Sequence, residues 1–227
     1  MVPEGEVHVF AADLDAAKPD EGVLSDDELE RAGRYRFERD RLRFTAGRTI
    51  LRRLVAAHLG TTSGEVRFFY GPFGRPFVSD ATLSFNVAHS GRAALFAFAE
   101  GMDVGVDVEV LQEGHSDDER VAERFFSPLE VSTLRAHGRA ARPEAFLRCW
   151  TRKEAFVKAR GDGLNLPLKD FDVSFAPGVR PQILRTAWSD REPAEWTLHD
   201  ISDLCPGTVA ALATHAESSV VLRGHID

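Results

Sequence analysis

Cysteine is scarce. Two thiols, Cys149 and Cys205, in 227 residues form no disulfide framework, and their spacing matches no metal-ligand pattern. No apolar run approaches the roughly 18 residues that a membrane span needs. The opening MVPEGEVHVF has neither the basic start nor the apolar stretch of a secretory signal, so a soluble, cytoplasmic protein is expected. A phosphate-cradling glycine loop and a dinucleotide fingerprint are both missing, and GDGL at 161–164 matches neither. Ser90 adjoins His89 without the G-x-S-x-G elbow of a hydrolase nucleophile. Lysine is rare too, four against 24 arginines. Two of the four, Lys153 and Lys158, lie five residues apart, and a compact ammonium does not replace a guanidinium.

What is present is ordinary globular material: 43% hydrophobic and 28% charged residues, enough for a core in one large domain or two small ones. The net charge of -8 argues against a general nucleic-acid binder. Its distribution is uneven. Residues 1–30 carry ten acids against Lys18, whereas residues 31–53 carry nine arginines against Glu38 and Asp40. A local excess of +7 fits an anionic ligand or partner; it fits equally a helix face laced with ion pairs.

Strands are expected at 6–12, 66–70, 83–88, 93–99, 104–110, 170–175, 195–201, 208–215 and 219–223 from their apolar and β-branched content. Ser25 with Glu28 forms a capping box that opens a helix to about residue 37. Apolar spacing from 40 to 59 gives a second helix, closed by Gly60. Further helices are expected at 118–126, from Ser127-Pro128 with Glu130, and at 143–160. The polar stretch 111–118 divides the chain into 1–112 and 113–227. AALFAFAE (93–100) and AALATHAE (210–217) share five of eight positions, a faint repeat. Helices and strands do not alternate strictly, so the fold class is α+β.

Three constellations bear chemistry. In the strand 103–110, Val104, Val106, Val108 and Val110 point to one face and Asp107 and Glu109 to the other, with Gly105 leaving room beside them. Carboxylate oxygens without His or Cys suit Mg²⁺ better than zinc; a wet acidic strand face has the same pattern. In the helix 143–160, Glu154 and Lys158 form an i, i+4 pair amid Phe146, Cys149, Trp150, Phe156 and Val157, company that buries such a pair in part. Finally, FNVAHSG (85–91) ends a strand with small polar groups at a turn, where Asn86, His89 and Ser90 could hold a phosphate.

In this order, with Gly74-Arg75-Pro76 before them and Arg124-Phe-Phe-Ser127 plus Glu130 between, the motifs FNVAHSG, GVDVE and WTRKEAFVKARGDGL (150–164) resemble the phosphopantetheinyl transferase superfamily, in its surfactin-synthetase-type branch. The resemblance implies two similar α/β halves related by a pseudo-twofold, with the site between them. It implies transfer of the 4′-phosphopantetheine arm of coenzyme A to a serine of an apo acyl- or peptidyl-carrier protein, releasing 3′,5′-ADP. On it, Asp107, Glu109 and Glu154 hold Mg²⁺, Glu154 is the base for the serine, and Lys158 offsets charge on the leaving phosphate. Arg31, Arg43, Arg75 and His89 match the coenzyme A contacts. Ala88 departs from the family pattern, which often has Ser there, and removes one hydroxyl donor. Other arginines of 31–53 would meet an acidic carrier protein, and a monomer is expected. The alternative is a non-catalytic relative that binds coenzyme A or a carrier and transfers nothing.

Overall fold

Period-two alternation decides how the layers stack. The computed structural model describes residues 2–79, 82–111, 118–161 and 163–226. Its elements are β1 (Glu6–Asp13), α1 (Asp26–Gly33), α2 (Glu38–Leu59), β2 (Phe69–Tyr70), β3 (Pro76–Phe77), β4 (Leu83–Ser90), β5 (Ala93–Glu100), β6 (Val104–Val110), α3 (Asp118–Phe125), α4 (Pro128–Ala136), α5 (Arg142–Arg160), β7 (Phe171–Val173), β8 (Ile183–Thr186), β9 (Trp196–Asp200), β10 (Thr208–His215) and β11 (Ser219–His225). The fold is α+β. Among the described residues no helix is long and apolar enough to cross a membrane.

Two sheets form the centre. One has the order β11-β1-β5-β4, with β11 parallel to β1 and the other pairs antiparallel; the second is the antiparallel sheet β6-β10-β9. On β5, Ala94, Phe96 and Phe98 pack against Ile50, Leu51 and Val55 of α2. The alternate residues Leu95, Ala97 and Ala99 face the other sheet, where Val104, Val106 and Val108 of β6 meet them. That sheet's opposite face packs on Ala155, Phe156 and Ala159 of α5. The layers therefore run helix, sheet, sheet, helix, and the inner strands β5 and β10 bury both faces.

The repeat seen in the sequence has a structural counterpart. AALFAFAE is β5, one of the two inner strands of its sheet, and AALATHAE overlaps β10, the middle strand of the other. The capping-box acids also match: Glu28 of α1 is buried against Arg52 of α2 at 2.6 Å, and Glu130 of α4 against Lys153 of α5 at 2.8 Å. In each pair an acid that caps a short helix also pairs with a buried cation of the long one.

Strands cross the expected division in both directions. Residues 112–117, where the boundary was read, lie outside the described residues, as does Asp162 of the closing motif. On the near side, β6 pairs not with β4 or β5 but with β10, Asp107 standing opposite Ala211. On the far side, β11 returns to pair with β1, Val7 opposite Val220. Asp107 thus belongs to the sheet that α5 covers. The helix after Ser25 ends at Gly33, short of residue 37, and the strand expected at 66–70 shrinks to Phe69–Tyr70. The carbonyl of Val66 is taken by the Arg52 guanidinium at 2.9 Å instead of a neighbouring strand. A strand at Ile183–Thr186 carries no sequence signal; only its two end residues are buried.

Candidate active site

The site grows from the alternation of β6. With its valines committed to the core between the sheets, Asp107 and Glu109 must face α5. The helix comes very close there: a Cβ on Gly105 would lie 2.2 Å from the Ala155 carbonyl oxygen and 2.3 Å from the Ala159 nitrogen. This contact brings the Glu154–Lys158 face of α5 over the carboxylates. Lys158 Nζ donates to Asp107 Oδ1 at 2.5 Å and to the Val106 carbonyl at 3.3 Å. Ser90 Oγ, from β4, donates to Glu109 Oε2 at 2.7 Å.

Burial dominates the electrostatics. Asp107 is 6% exposed, and its other oxygen, Oδ2, is buried with no partner among the described residues. Desolvation pushes its pKa up to about 7; Lys158 opposes the shift, and Glu154 and Glu109 add to it. Burial also raises Glu154, again opposed by Lys158 and reinforced by Glu109. Asp107 and Glu154 each feel the charge of Glu109, which disfavours their ionised forms as like charges do. Their chemistry fits Mg²⁺, which takes oxygen ligands, and the orphaned Oδ2 is an unused ligand. Among the described residues, however, no three Asp, Glu, His or Cys side chains are gathered closely enough to hold an ion. The cation now on Asp107 is the ammonium of Lys158.

These groups line a cavity of about 830 Å³ whose walls include Phe125, Trp150, Leu166 and Leu168. A second cavity of about 420 Å³ adjoins it and is lined by Arg31, Arg43, Arg48, Tyr70 and His89. His89, with Gly74, Pro76 and Val87, borders both. The surrounding protein lowers the His89 pKa, and Lys158 and Arg31 lower it further. The structure thus brings Arg31, Arg43 and His89 to one cavity, and Asp107, Glu109, Glu154 and Lys158 to its neighbour. Arg75 lies in the wall of the larger one, but four backbone carbonyls occupy its guanidinium.

The arginine-rich segment is largely neutralised from within. Arg34 pairs with Glu30, Arg41 with Glu21, Arg43 with Asp15, Arg48 and Arg52 with Glu28, and Arg53 with Asp20. The acids of 1–30 therefore answer the arginines of 31–53. Arg43 is held by both oxygens of Asp15, at 2.6 and 2.7 Å, the bidentate geometry a guanidinium also offers to phosphate. Arg31 instead stacks over Phe44 at 5.2 Å.

Asn86 and Ser90 do not sit free at the turn. Asn86 Oδ1 accepts from the Val106 nitrogen at 3.0 Å, and Ser90 Oγ accepts from the Val110 nitrogen at 3.2 Å. Since β4 and β6 belong to different sheets, these side chains stand in for a backbone ladder. Arg48 also lines the smaller cavity, although no sequence motif singles it out. It bonds Tyr70 Oη at 3.1 Å and stacks over Phe68 at 4.5 Å. Only its place among nine arginines marked it.

Comparison with known proteins identifies the family to which the chain is similar. The family model described as the 4′-phosphopantetheinyl transferase superfamily matches residues 103–213. One described as 4′-phosphopantetheinyl transferase, N-terminal, matches residues 21–100. The 4′-phosphopantetheinyl transferase HetI of Nostoc sp. is 38% identical over 215 residues, covering 90% of this chain and 87% of that protein. The 4′-phosphopantetheinyl transferase Sfp of Bacillus subtilis is 30% identical over 151 residues, 66% of each chain. Among solved structures, a holo-[acyl-carrier-protein] synthase of Thermotoga maritima is 26% identical, covers 51% of this chain and 64% of its own, and has a TM-score of 0.38.

Proposed function

The chain belongs to the 4′-phosphopantetheinyl transferase superfamily, in its surfactin-synthetase-type branch, and from that premise we propose a Mg²⁺-dependent transfer with 3′,5′-ADP as leaving group. It is an enzyme that moves phosphopantetheine from coenzyme A to a carrier protein. The observation that carries the finer reading is the meeting of Asp107, Glu109, Glu154 and Lys158 in one cavity that opens beside Arg31, Arg43 and His89.

The carrier's serine oxygen attacks the β-phosphorus of coenzyme A. The bond from that phosphorus to the bridging oxygen breaks, and 3′,5′-ADP leaves with the electron pair. Such a reaction needs charge neutralisation and alignment more than covalent help. Mg²⁺, when held by Asp107, Glu109 and Glu154, would supply charge neutralisation at the pyrophosphate. Glu154 takes the serine proton, directly or through a water; its raised pKa makes it a better base than an exposed carboxylate. Lys158 neutralises charge developing on the leaving phosphate. Arg31, Arg43 and His89 bind the 3′-phosphate and the adenosine end, where guanidinium and imidazole suit a dianion. For Arg43 this means exchanging Asp15 for the ligand, or sharing it.

Replacement of Glu154 by Gln tests the assignment. Carrier modification should vanish while the melting temperature holds; a variant that still transfers at the wild-type rate overturns Glu154 as base and ligand.

A further inference from the structure

Arg75 projects from the short hairpin of β2 and β3, and four carbonyl oxygens converge on it. Its Nη1 donates to Lys158 and Ala159, both at 3.2 Å, and its Nη2 to Val104 at 3.3 Å and Phe85 at 3.5 Å. The two amino groups of a guanidinium carry four N–H bonds in all, so every one of them is committed. Among the described residues, only Nε–H has no partner. Desolvation lowers the pKa of Arg75, and Asp103 opposes that shift.

The four oxygens come from three elements. Lys158 and Ala159 lie in the last turn of α5, whose final carbonyls have no intrahelical donor. The Val157 carbonyl receives the Gly161 nitrogen at 3.1 Å, and Arg75 serves the next two. A guanidinium at this end also complements the negative pole of the helix. Phe85 belongs to β4, and Val104 is the first residue of β6. Arg75 therefore ties the C-terminus of the helix that carries Glu154 and Lys158 to the strand that carries Asp107 and Glu109. The hairpin is pinned a second time by Phe73: a Cβ on Gly163, just beyond α5, would fall 2.6 Å from the Phe73 ring. Where α5 crosses β6 at Gly105 there is no slack, so a small displacement of the helix end changes the spacing of the acids.

We infer that Arg75 is a positioning residue, a clamp that sets α5 against β6, and not a phosphate contact for coenzyme A. The inference rests on the transferase reading of Asp107, Glu109, Glu154 and Lys158. It departs from the family resemblance, which places position 75 among the coenzyme A contacts.

The test uses the full chain with Arg75→Ala and Arg75→Lys. Coenzyme A binding is measured by calorimetry without a carrier, transfer with one, and hydrogen exchange over residues 155–161. The clamp predicts that Arg75→Ala binds coenzyme A with a Kd close to wild type and exchanges faster at the end of α5. It also predicts that kcat falls about tenfold or more at saturating coenzyme A, because small misplacements of reacting groups are costly. Arg75→Lys, which keeps a charge and three donors, should recover part of kcat and of the protection; if the alanine variant does not fold, the lysine variant reads the same three quantities. A Kd weakened about tenfold, or unchanged exchange at α5, overturns the clamp. A wild-type protein that binds coenzyme A but transfers nothing would refute the transferase reading, while exchange and binding still decide the role of Arg75.

Discussion

Lys158 Nζ lies 2.5 Å from Asp107 Oδ1, while Asp107 Oδ2 is buried without a partner among the described residues. The ammonium neutralises a carboxylate that burial would otherwise leave uncompensated. A divalent ion entering the site must compete with it. Lys158→Met should therefore bind Mg²⁺ more tightly, by about fivefold or ~1 kcal/mol for a partly exposed pair, although transfer falls. Calorimetric Mg²⁺ titration of both proteins checks this; equal or weaker affinity in the variant contradicts the competition.

Gly105 is where α5 and β6 touch. A methyl group there would meet the backbone at Ala155 and Ala159, and backbone atoms cannot swing aside. Gly105→Ala should cost about 3 kcal/mol or more of stability, the upper range for overpacking. It should also cut transfer by pushing Glu154 and Lys158 away from Asp107. A urea unfolding midpoint equal to wild type would show that the helix has room to move.

Glu28 is buried between Arg48 and Arg52 and accepts from the Ser25 nitrogen at 3.0 Å. Desolvation raises its pKa, but Arg48, the Ser25 N–H and Arg52 outweigh it and hold the carboxyl below its ordinary 4.5. A depressed folded value means stability that is fully present above pH 4.5 and is lost as pH falls through the folded value. Glu28→Gln should lose about 3 kcal/mol at pH 7, as when one partner of a buried pair is removed. The gap to wild type should narrow below pH 4.5. A gap that stays constant down to pH 3 would mean that the ionised form of Glu28 contributes nothing.

What the sequence made legible is local. The alternation of 103–110 placed Val104, Val106 and Val108 in the core and Asp107 and Glu109 on the other face, because strand geometry fixes both. The capping boxes at Ser25 and Ser127 were readable for the same reason. The i, i+4 spacing of Glu154 and Lys158 put them on one face of α5. What stayed hidden depends on distant segments meeting. Nothing in residues 104–110 says that their partner is 208–215, nor in 219–225 that theirs is β1. Glu28 and Glu130 read as caps, yet each also neutralises a buried cation more than 20 positions away. The arginine excess at 31–53 is cancelled by acids that composition counted but could not pair. Arg75 matched a family motif, but the four carbonyls that hold it come from segments 10 to 84 residues distant.

The central claim is that this site transfers the phosphopantetheine arm with the help of a divalent ion. Its most direct test is the intact mass of an apo carrier protein after incubation with this protein, coenzyme A and Mg²⁺, with and without EDTA. The account predicts a gain of one arm, about 340 Da from its chemical formula, that disappears with EDTA. An unshifted carrier under conditions where coenzyme A binding is measurable, or a shift that EDTA leaves untouched, would contradict it.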